Sequence, residues 1–286
     1  MNSNLLSIII VNYNAPDMLA RCLASIDSFL KNLEKEVIVV DNNSRTEFLD
    51  HHQQQYPYLK VIRLRENLGF GQANNIGAES ASGRVLLLLN SDTELIDSSL
   101  CDAIDRFEAA PAGNLWGLKL LWPDGRFQNS YSREIRFSDF LVSYTPLAAV
   151  FRNSSRVKAH KYDGLPFSEV SDVDVVYGTA MLLKRDDFLA LKGFSSDYFM
   201  YFEDIEFCDR FRKELRGRIS VYPYTSVIHH VQGSSGERIV NWSYQKHKYL
   251  YGLRKFGAWK MSLIALVDIP LLPLQYLYTR LAATVR

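Results

Sequence analysis

Four nearly unbroken Val/Ile/Leu runs, at residues 6–11, 37–40, 61–64 and 85–89, constrain this chain more than anything else in it. A strand buried on both faces of a parallel sheet is apolar at every position, whereas a half-exposed strand alternates. Each run gives way at once to small polar residues: Asn12-Tyr13-Asn14, Asp41-Asn42-Asn43-Ser44, Arg65-Glu66-Asn67-Leu68-Gly69 and Asn90-Ser91-Asp92. Between the runs the sequence reads as helices. Pro16-Asp17 opens a stretch with Met18, Leu19, Cys22, Leu23, Ile26 and Phe29 at helical spacing, and residues 71–81 and 98–109 offer two more. Strands alternating with helices in this rhythm are βαβ units of an open α/β sheet. Such sheets bind ligands beyond the carboxyl ends of their strands, so the four polar clusters are expected to converge on one site.

After about residue 112 the regularity fades. Trp122-Pro123-Asp124-Gly125-Arg126 reads as a tight turn in a hairpin, and residues 133–166 are aromatic, basic and irregular, as a substrate-facing region would be. Order returns at Val173-Asp174-Val175-Val176-Tyr177-Gly178 and at 180–183. The expected organisation is one α/β unit over 1–236, its nucleotide-binding half ending near 111 and its acceptor half running over 112–236. A basic, aromatic helical extension follows over 237–286.

With 286 residues, 47% of them apolar, the chain can bury a full core. Its net charge of +1 gives no reason to expect nucleic acid as a partner. Cys22, Cys101 and Cys208 are far apart, fall in expected helices and form no Cys-x-x-Cys pair, which suits a reducing cytoplasm. The first residues, Met1-Asn2-Ser3-Asn4, lack the basic region of a leader, so the apolar run after them is read as strand one. The balanced charge hides an asymmetry: residues 241–286 hold seven basic side chains against one acidic, Asp268. Residues 261–278 are apolar but broken by Asp268, Pro270, Pro273 and Gln275, which disfavours a spanning helix. Two readings of this tail stand side by side. It lies in the interface of the cytoplasmic membrane, or it packs on the core with its basic face in water.

The polar strand ends limit the chemistry. No Gly-x-Gly-x-x-Gly follows strand one and no Walker A loop is present, which disfavours a dinucleotide-binding dehydrogenase, a methyltransferase or a P-loop enzyme. Asp41, at the end of strand two, can accept hydrogen bonds from a nucleoside. Asn90 and Asp92 stand two apart, on one side of the chain if it stays extended, and suit a hard divalent ion already carrying phosphate oxygens. Together these features suggest a nucleoside diphosphate held by a metal. Each is weak alone, because an Asp after a strand is more often a cap or turn residue.

The same residues resemble the inverting glycosyltransferases of family 2. Ser-Ile-Ile-Ile-Val-Asn-Tyr-Asn (7–14), Val-Val-Asp-Asn-Asn-Ser (39–44), Asn67-x-Gly69-Phe70-x-x-Ala73-x-Asn75-x-Gly77 and Leu-Leu-Leu-Leu-Asn-Ser-Asp-Thr-Glu-Leu (86–95) are similar to its nucleotide-sugar motifs, in order. Gly178-Thr179-Ala180-Met181, Gly193-Phe194, the Phe-Met-Tyr-Phe-Glu-Asp-Ile-Glu-Phe-Cys-Asp-Arg stretch (199–210), His229-His230 and Gly233-Ser234-Ser235 resemble its bacterial rhamnosyltransferase-like branch. The resemblance covers about residues 5–236 and stops at the basic tail.

The resemblance implies a GT-A fold, an open, twisted and mostly parallel sheet, and transfer of a sugar from a nucleoside diphosphate to an acceptor hydroxyl with inversion. In that reading Asp204 is the base and Glu203 orients the acceptor. Val11, Asn12, Tyr13, Asp41, Asn67, Gly69, Asn75, Asn90 and Ser91 hold the nucleotide sugar. Asp92, with His229 or His230, holds Mg²⁺ or Mn²⁺, only one histidine of the pair serving because neighbours on a strand face opposite ways. Asn90 stands where the family often has an aspartate, which leaves it in doubt as a direct ligand. The donor implied is dTDP-L-rhamnose, with a UDP-hexose or UDP-N-acetylhexosamine as the alternative. The acceptor implied is a glycan or lipid-linked glycan of cell-surface polysaccharide or lipopolysaccharide; a homodimer stays open. Against all this stand plainer readings. The acidic residues 203, 204, 206 and 209 are also what a helix N-terminus attracts, Gly77 suits a turn, and a non-catalytic nucleotide-sugar-binding module would share the fold.

Overall fold

Ile8, Ile9, Ile10, Val37 to Val40 and Leu86 to Leu88 are all fully buried, as runs covered on both faces must be. Alternate residues feed two cores, Ile9, Ile38 and Leu88 on one face of the sheet and Ile8, Val39 and Leu87 on the other. Each such side chain contributes about 1.5–3 kcal/mol by leaving water. A computed structural model describes residues 6–45, 49–162, 168–231 and 242–284.

The first half comprises β1 (Leu6–Asn12), α1 (Pro16–Phe29), β2 (Lys35–Asp41), α2 (Leu49–Gln55), β3 (Leu59–Arg63), α3 (Phe70–Ser80), β4 (Val85–Asn90), β5 (Thr93–Leu95) and α4 (Ser99–Ala109). The second begins with β6 (Asn114–Leu121), β7 (Phe127–Gln128) and β8 (Tyr131–Ser132), followed by three short helices, α5 (Phe137–Ser143), α6 (Ala148–Phe151) and α7 (Ser155–His160). It continues through β9 (Ser171–Asp172), β10 (Val175–Val176), β11 (Ala180–Lys184), α8 (Arg185–Ala190), α9 (Glu203–Glu214) and β12 (Arg218–His229). Two helices close the chain, α10 (Trp242–Phe256) and α11 (Ala258–Thr284).

The main sheet runs β3-β2-β1-β4-β11-β6-β12-β5, with β7 on β6 and β9 on β12. The β1–β2, β2–β3, β1–β4 and β6–β12 pairs are parallel, and β11 lies antiparallel between β4 and β6. Six of the eight strands on that path therefore point the same way, and their carboxyl ends share one edge. Only the third apolar run departs from expectation. As the sheet's edge strand, β3 leaves Val61 and Ile62 half-exposed. The Trp122 turn is as read: Gly125 sits at φ +81° and its N–H donates to the Trp122 carbonyl at 2.8 Å. Residues 133–160 are more ordered than their composition suggested, folding into α5 to α7.

The basic tail finds acidic partners that are distant in sequence. Lys248 and Asp268 form a 2.5 Å ion pair buried between α10 and α11. Lys255 reaches Asp209 at 2.6 Å and Glu134 at 3.0 Å, Arg254 reaches Asp197 at 2.7 Å, and the buried Tyr251 hydroxyl donates to Asp209 at 2.9 Å. So α10 packs on the core, and Asp268 is an anchor for a lysine. On α11, Met261, Ile264 and Asp268 face inward while Trp259, Leu263, Leu266 and Ile269 face out. The helix continues through Pro270 and Pro273.

Candidate active site

Register places the first polar clusters. Asn12 pairs with Asp41 where β1 and β2 end flush, so their side chains stand together. The Asn12 amide donates to Asp41 Oδ1 at 3.1 Å and to Ser44 Oγ at 3.2 Å. Asn42 extends the network by donating to Asn67 Oδ1 at 2.8 Å and to the Gly69 carbonyl at 3.2 Å, while accepting the Leu68 N–H at 2.8 Å. Asn12, Asp41 and Asn67 thus form a hydrogen-bonded floor, and Tyr13 rises from it 48% exposed. Val11 is half-buried against the core beneath. Asn42 and Ser44 belonged to a recognised cluster, but their part in joining the end of strand two to the turns after strands three and one was not anticipated.

Gly69 is required by its surroundings. At φ +84° and ψ 173° it occupies backbone space closed to other residues, and a Cβ there would stand 2.0 Å from the Phe199 carbonyl oxygen. That same oxygen accepts the Phe70 N–H at 2.9 Å, so the turn after β3 is stitched to the segment leading into α9. Asn75, expected on the donor, is instead committed to the fold. Its Nδ2 donates to the Phe194 carbonyl and its Oδ1 accepts the Phe194 N–H, both at 2.8 Å, tying α3 to the segment before α9.

After Asn90 the chain turns rather than staying extended, with Thr93 Oγ1 donating to the Asn90 carbonyl at 2.7 Å. The turn delivers β5 to β12, where Thr93 lies opposite His229. Asp92 and His229, far apart in sequence, then meet at 3.3 Å between Oδ1 and Nε2. His229 Nδ1 lies 3.0 Å from Gln128 Oε1 on β7. A ring N–H donated to that amide oxygen leaves the Nε2 lone pair facing Asp92, the arrangement a metal-ligating histidine needs. Gln128 was not foreseen, because nothing in its local sequence marks it. Its neighbour His230 faces elsewhere, its Nε2 lying 2.8 Å from Glu94 Oε1 and its N–H donating to the Asp92 carbonyl at 2.9 Å.

Does this donor set fit a divalent ion? Among the described residues no group of three or more His, Cys, Asp and Glu side chains is gathered. One carboxylate oxygen, one imidazole nitrogen and the buried, unpartnered Asn90 Oδ1 of the same triplet remain. That set suits Mg²⁺ or Mn²⁺ whose other ligands are diphosphate oxygens and water. Ser91 is half-buried and stands between them.

The acceptor side is set by α9. Tyr201 and Phe202 precede it at φ +71° and +70°, a strained entry costing of order 1–3 kcal/mol per residue. Aromatic packing holds it: the Phe202 ring lies 5.7 Å from Tyr144 and 5.5 Å from both Tyr244 and Tyr251. His247 of α10 clasps the preceding backbone, its Nδ1 2.8 Å from the Met200 carbonyl and its Nε2 accepting the Phe199 N–H at 3.3 Å. Burial lowers the pKa of this imidazole, which suits its neutral role. Asp204 follows, its carboxylate accepting the Gly178 N–H at 3.0 Å and the Ile205 N–H at 2.8 Å. It also lies at the positive end of the helix.

Glu203 does not stand beside it facing an acceptor. Only 5% exposed, it lies under Gly71 of α3, and its Oε2 has no hydrogen-bond partner among the described residues. Burial, reinforced by the neighbouring Asp204 charge, pushes its carboxyl well above the usual range. Its environment is opposite to that of Asp204, which receives two amide N–H groups. Glu206 pairs with Arg210 at 2.7 Å, and Asp209 with Arg212, Lys255 and Tyr251. Both serve the fold. Gly233, Ser234 and Ser235 lie outside the described residues.

A strand-end cleft on a sheet of this order is the architecture of GT-A enzymes, and solved structures agree. The crystal structure of GalNAc-T7 with UDP, GalNAc and Mn²⁺ superposes with a TM-score of 0.67 at 17% identity, over 91% of this chain and 50% of that one. The chain belongs to glycosyl transferase family 2, whose sequence model matches residues 7–188. Among its relatives is N-acetylglucosaminyl-diphospho-decaprenol L-rhamnosyltransferase of Mycobacterium tuberculosis, 26% identical over 91% of this chain and 88% of the relative. Rhamnosyltransferase WbbL of Escherichia coli is 28% identical over 78% and 82%.

Proposed function

We propose that this glycosyltransferase moves L-rhamnose from dTDP-L-rhamnose to a hydroxyl of a lipid-linked glycan, in one displacement with inversion, during cell-surface polysaccharide assembly. The observation that carries the reading is the joint position of the Asp92–His229 pair and of Asp204 around the carboxyl edge of the sheet. Asp204, fixed by two amide N–H groups, takes the proton of the attacking hydroxyl. Asn12, Asp41 and Asn67 shape the nucleoside floor, and Tyr13 offers an exposed ring on which the base stacks. Asp92 and His229 Nε2 would hold Mg²⁺ or Mn²⁺, with Asn90 beside them. When bound, the ion supplies Lewis-acid stabilisation of the departing diphosphate. Burial holds the Glu203 carboxyl well above the usual range, and Glu206 is taken by Arg210, so the base role falls to Asp204.

The sugar and the acceptor are drawn from the rhamnosyltransferase relatives, which span most of this chain. Work at the cytoplasmic membrane face fits the outward stripe of α11, where Trp259 is 71%, Leu266 73% and Ile269 59% exposed, with Lys260 exposed alongside. Among the described residues no helix is long and apolar enough to cross a membrane. The reading is tested by offering dTDP-L-rhamnose, UDP-glucose and UDP-N-acetylglucosamine with Mg²⁺ or Mn²⁺ and measuring nucleoside diphosphate release. Fastest turnover of dTDP-L-rhamnose, abolished by EDTA, is expected. A UDP-sugar preference would replace the donor, and turnover unaffected by EDTA would remove the metal.

A further inference from the structure

Alongside α5 and α7 lies a cavity of about 610 Å³ that no step of the proposed transfer uses. Its wall carries Arg133, Arg136 and Arg156, and none of these guanidiniums has an ion-pair partner among the described residues. Three carboxylates share the wall but are engaged. Glu134 faces Arg212 at 3.5 Å and Lys255 at 3.0 Å. Asp174 faces Arg212 at 3.7 Å and accepts the Glu134 N–H at 2.9 Å, while Asp139 accepts the Arg136 N–H at 3.2 Å. Arg136 and Arg156, with Arg133 over the Tyr162 ring, are thus the wall's cations without an ion-pair partner among the described residues.

His160 gives a second, independent pointer. It lines the cavity, is only 4% exposed, and its Nε2 lies 3.3 Å from the Tyr144 hydroxyl. Its Nδ1 is buried and has no partner among the described residues. With the tyrosine donating to Nε2, Nδ1 carries the ring hydrogen and lacks an acceptor. A buried donor left so costs about 1–3 kcal/mol, which a ligand oxygen would relieve. Guanidinium forks match phosphate oxygens two at a time, and three of them beside a spare N–H select a polyanionic oxygen ligand.

Position narrows the ligand. Tyr144 meets the cavity-lining His160 edge-on and lies at a tilt against Phe202, two residues before Asp204. The cavity is thus joined to the segment that carries the proposed base through Tyr144 and Phe202. We propose that it binds a diphosphate carried by the acceptor and so presents the acceptor's sugar to Asp204. The proposal rests on the transferase reading for the acceptor, but the anion site can be measured without it.

The first arm titrates inorganic diphosphate calorimetrically into the full chain, with EDTA present and the nucleotide site saturated with dTDP. One equivalent should bind. The double variant Arg136→Gln/Arg156→Gln, both positions exposed and safe for folding, should bind at least tenfold more weakly, and Asp92→Ala should bind as the wild type does. Loss of binding in Asp92→Ala, or no change in the arginine variant, would overturn the site. The second arm compares a short-chain diphospholipid-linked saccharide with the same saccharide lacking the diphosphate. The arginine variant should raise KM at least tenfold for the first, with kcat and donor KM unchanged, and leave the second unaffected. Equal loss on both acceptors would overturn the acceptor role. Arginine-dependent diphosphate binding in a protein that transfers no sugar would uphold the anion site and sink only the transferase reading.

Discussion

Replacing Gly69 by alanine should damage stability and catalysis together. At φ +84° and ψ 173° an alanine incurs about 1–3 kcal/mol of backbone strain. Its Cβ, 2.0 Å from the Phe199 carbonyl oxygen, cannot be accommodated without separating the two segments. Separation breaks the 2.9 Å bond from the Phe70 N–H, and a buried amide left unpaired adds about 1–3 kcal/mol. The sum is about 2–6 kcal/mol, and at roughly 2 °C per kcal/mol for a chain of this size Tm falls by about 4–12 °C. Because Phe199 lies five residues before Asp204, a shift of about 1 Å there should also lower kcat about 10²-fold. Circular dichroism melts and donor turnover, measured well below the variant's Tm, read the two effects separately. Tm within about 2 °C of the wild type, together with normal kcat, would refute the claim that this glycine couples the donor-side turn to α9.

Three further outcomes are expected. His229→Ala should abolish the Mn²⁺ dependence of donor affinity while His230→Ala leaves it intact; equal effects would contradict the assignment of Nε2. Glu203→Gln should match the wild type in Tm below about pH 4.5, where both side chains are neutral, and exceed it increasingly as pH rises. The sign follows because a raised folded pKa gives stability that is full below the unfolded value and lost above it; a constant difference across pH would refute it. Leu266→Glu with Ile269→Glu should abolish co-sedimentation with anionic vesicles at low salt, where each nearby basic residue contributes about 1 kcal/mol. Wild-type protein staying in the supernatant there would show that the α11 stripe does not meet a membrane.

The donor half was legible because its determinants are local. A strand buried on both faces announces itself in composition, and the polar residue ending each run lies next to it in sequence. What escaped depends on distant partners. Nothing near Asn75 indicates that Phe194 takes both ends of its amide. Alternation on a strand says that His229 and His230 face apart, but the choice between them is made by Gln128 and Glu94, more than a hundred residues away. Of β12 only the end at His229-His230 was read as strand, since Pro223 and the register shift between Tyr222 and Ser226 break its pattern. Both readings of the basic tail left its charges facing water or a membrane, because Asp197 and Asp209, which meet Arg254 and Lys255, lie far upstream. Only the fold brings His247 under the turn that carries Asp204.

The central claim is that Asp204 removes the acceptor proton, and Asp204→Asn tests it most directly. Asparagine retains an oxygen for the Ile205 N–H and the side chain's shape, so the helix start should survive. The measurement pairs donor Kd by calorimetry with kcat on the acceptor identified by the donor panel. Donor Kd within about threefold of the wild type and kcat lowered about 10²-fold or more are predicted, the scale of general-base catalysis. Near-normal kcat in the folded variant would contradict the assignment and move the base elsewhere in the cleft.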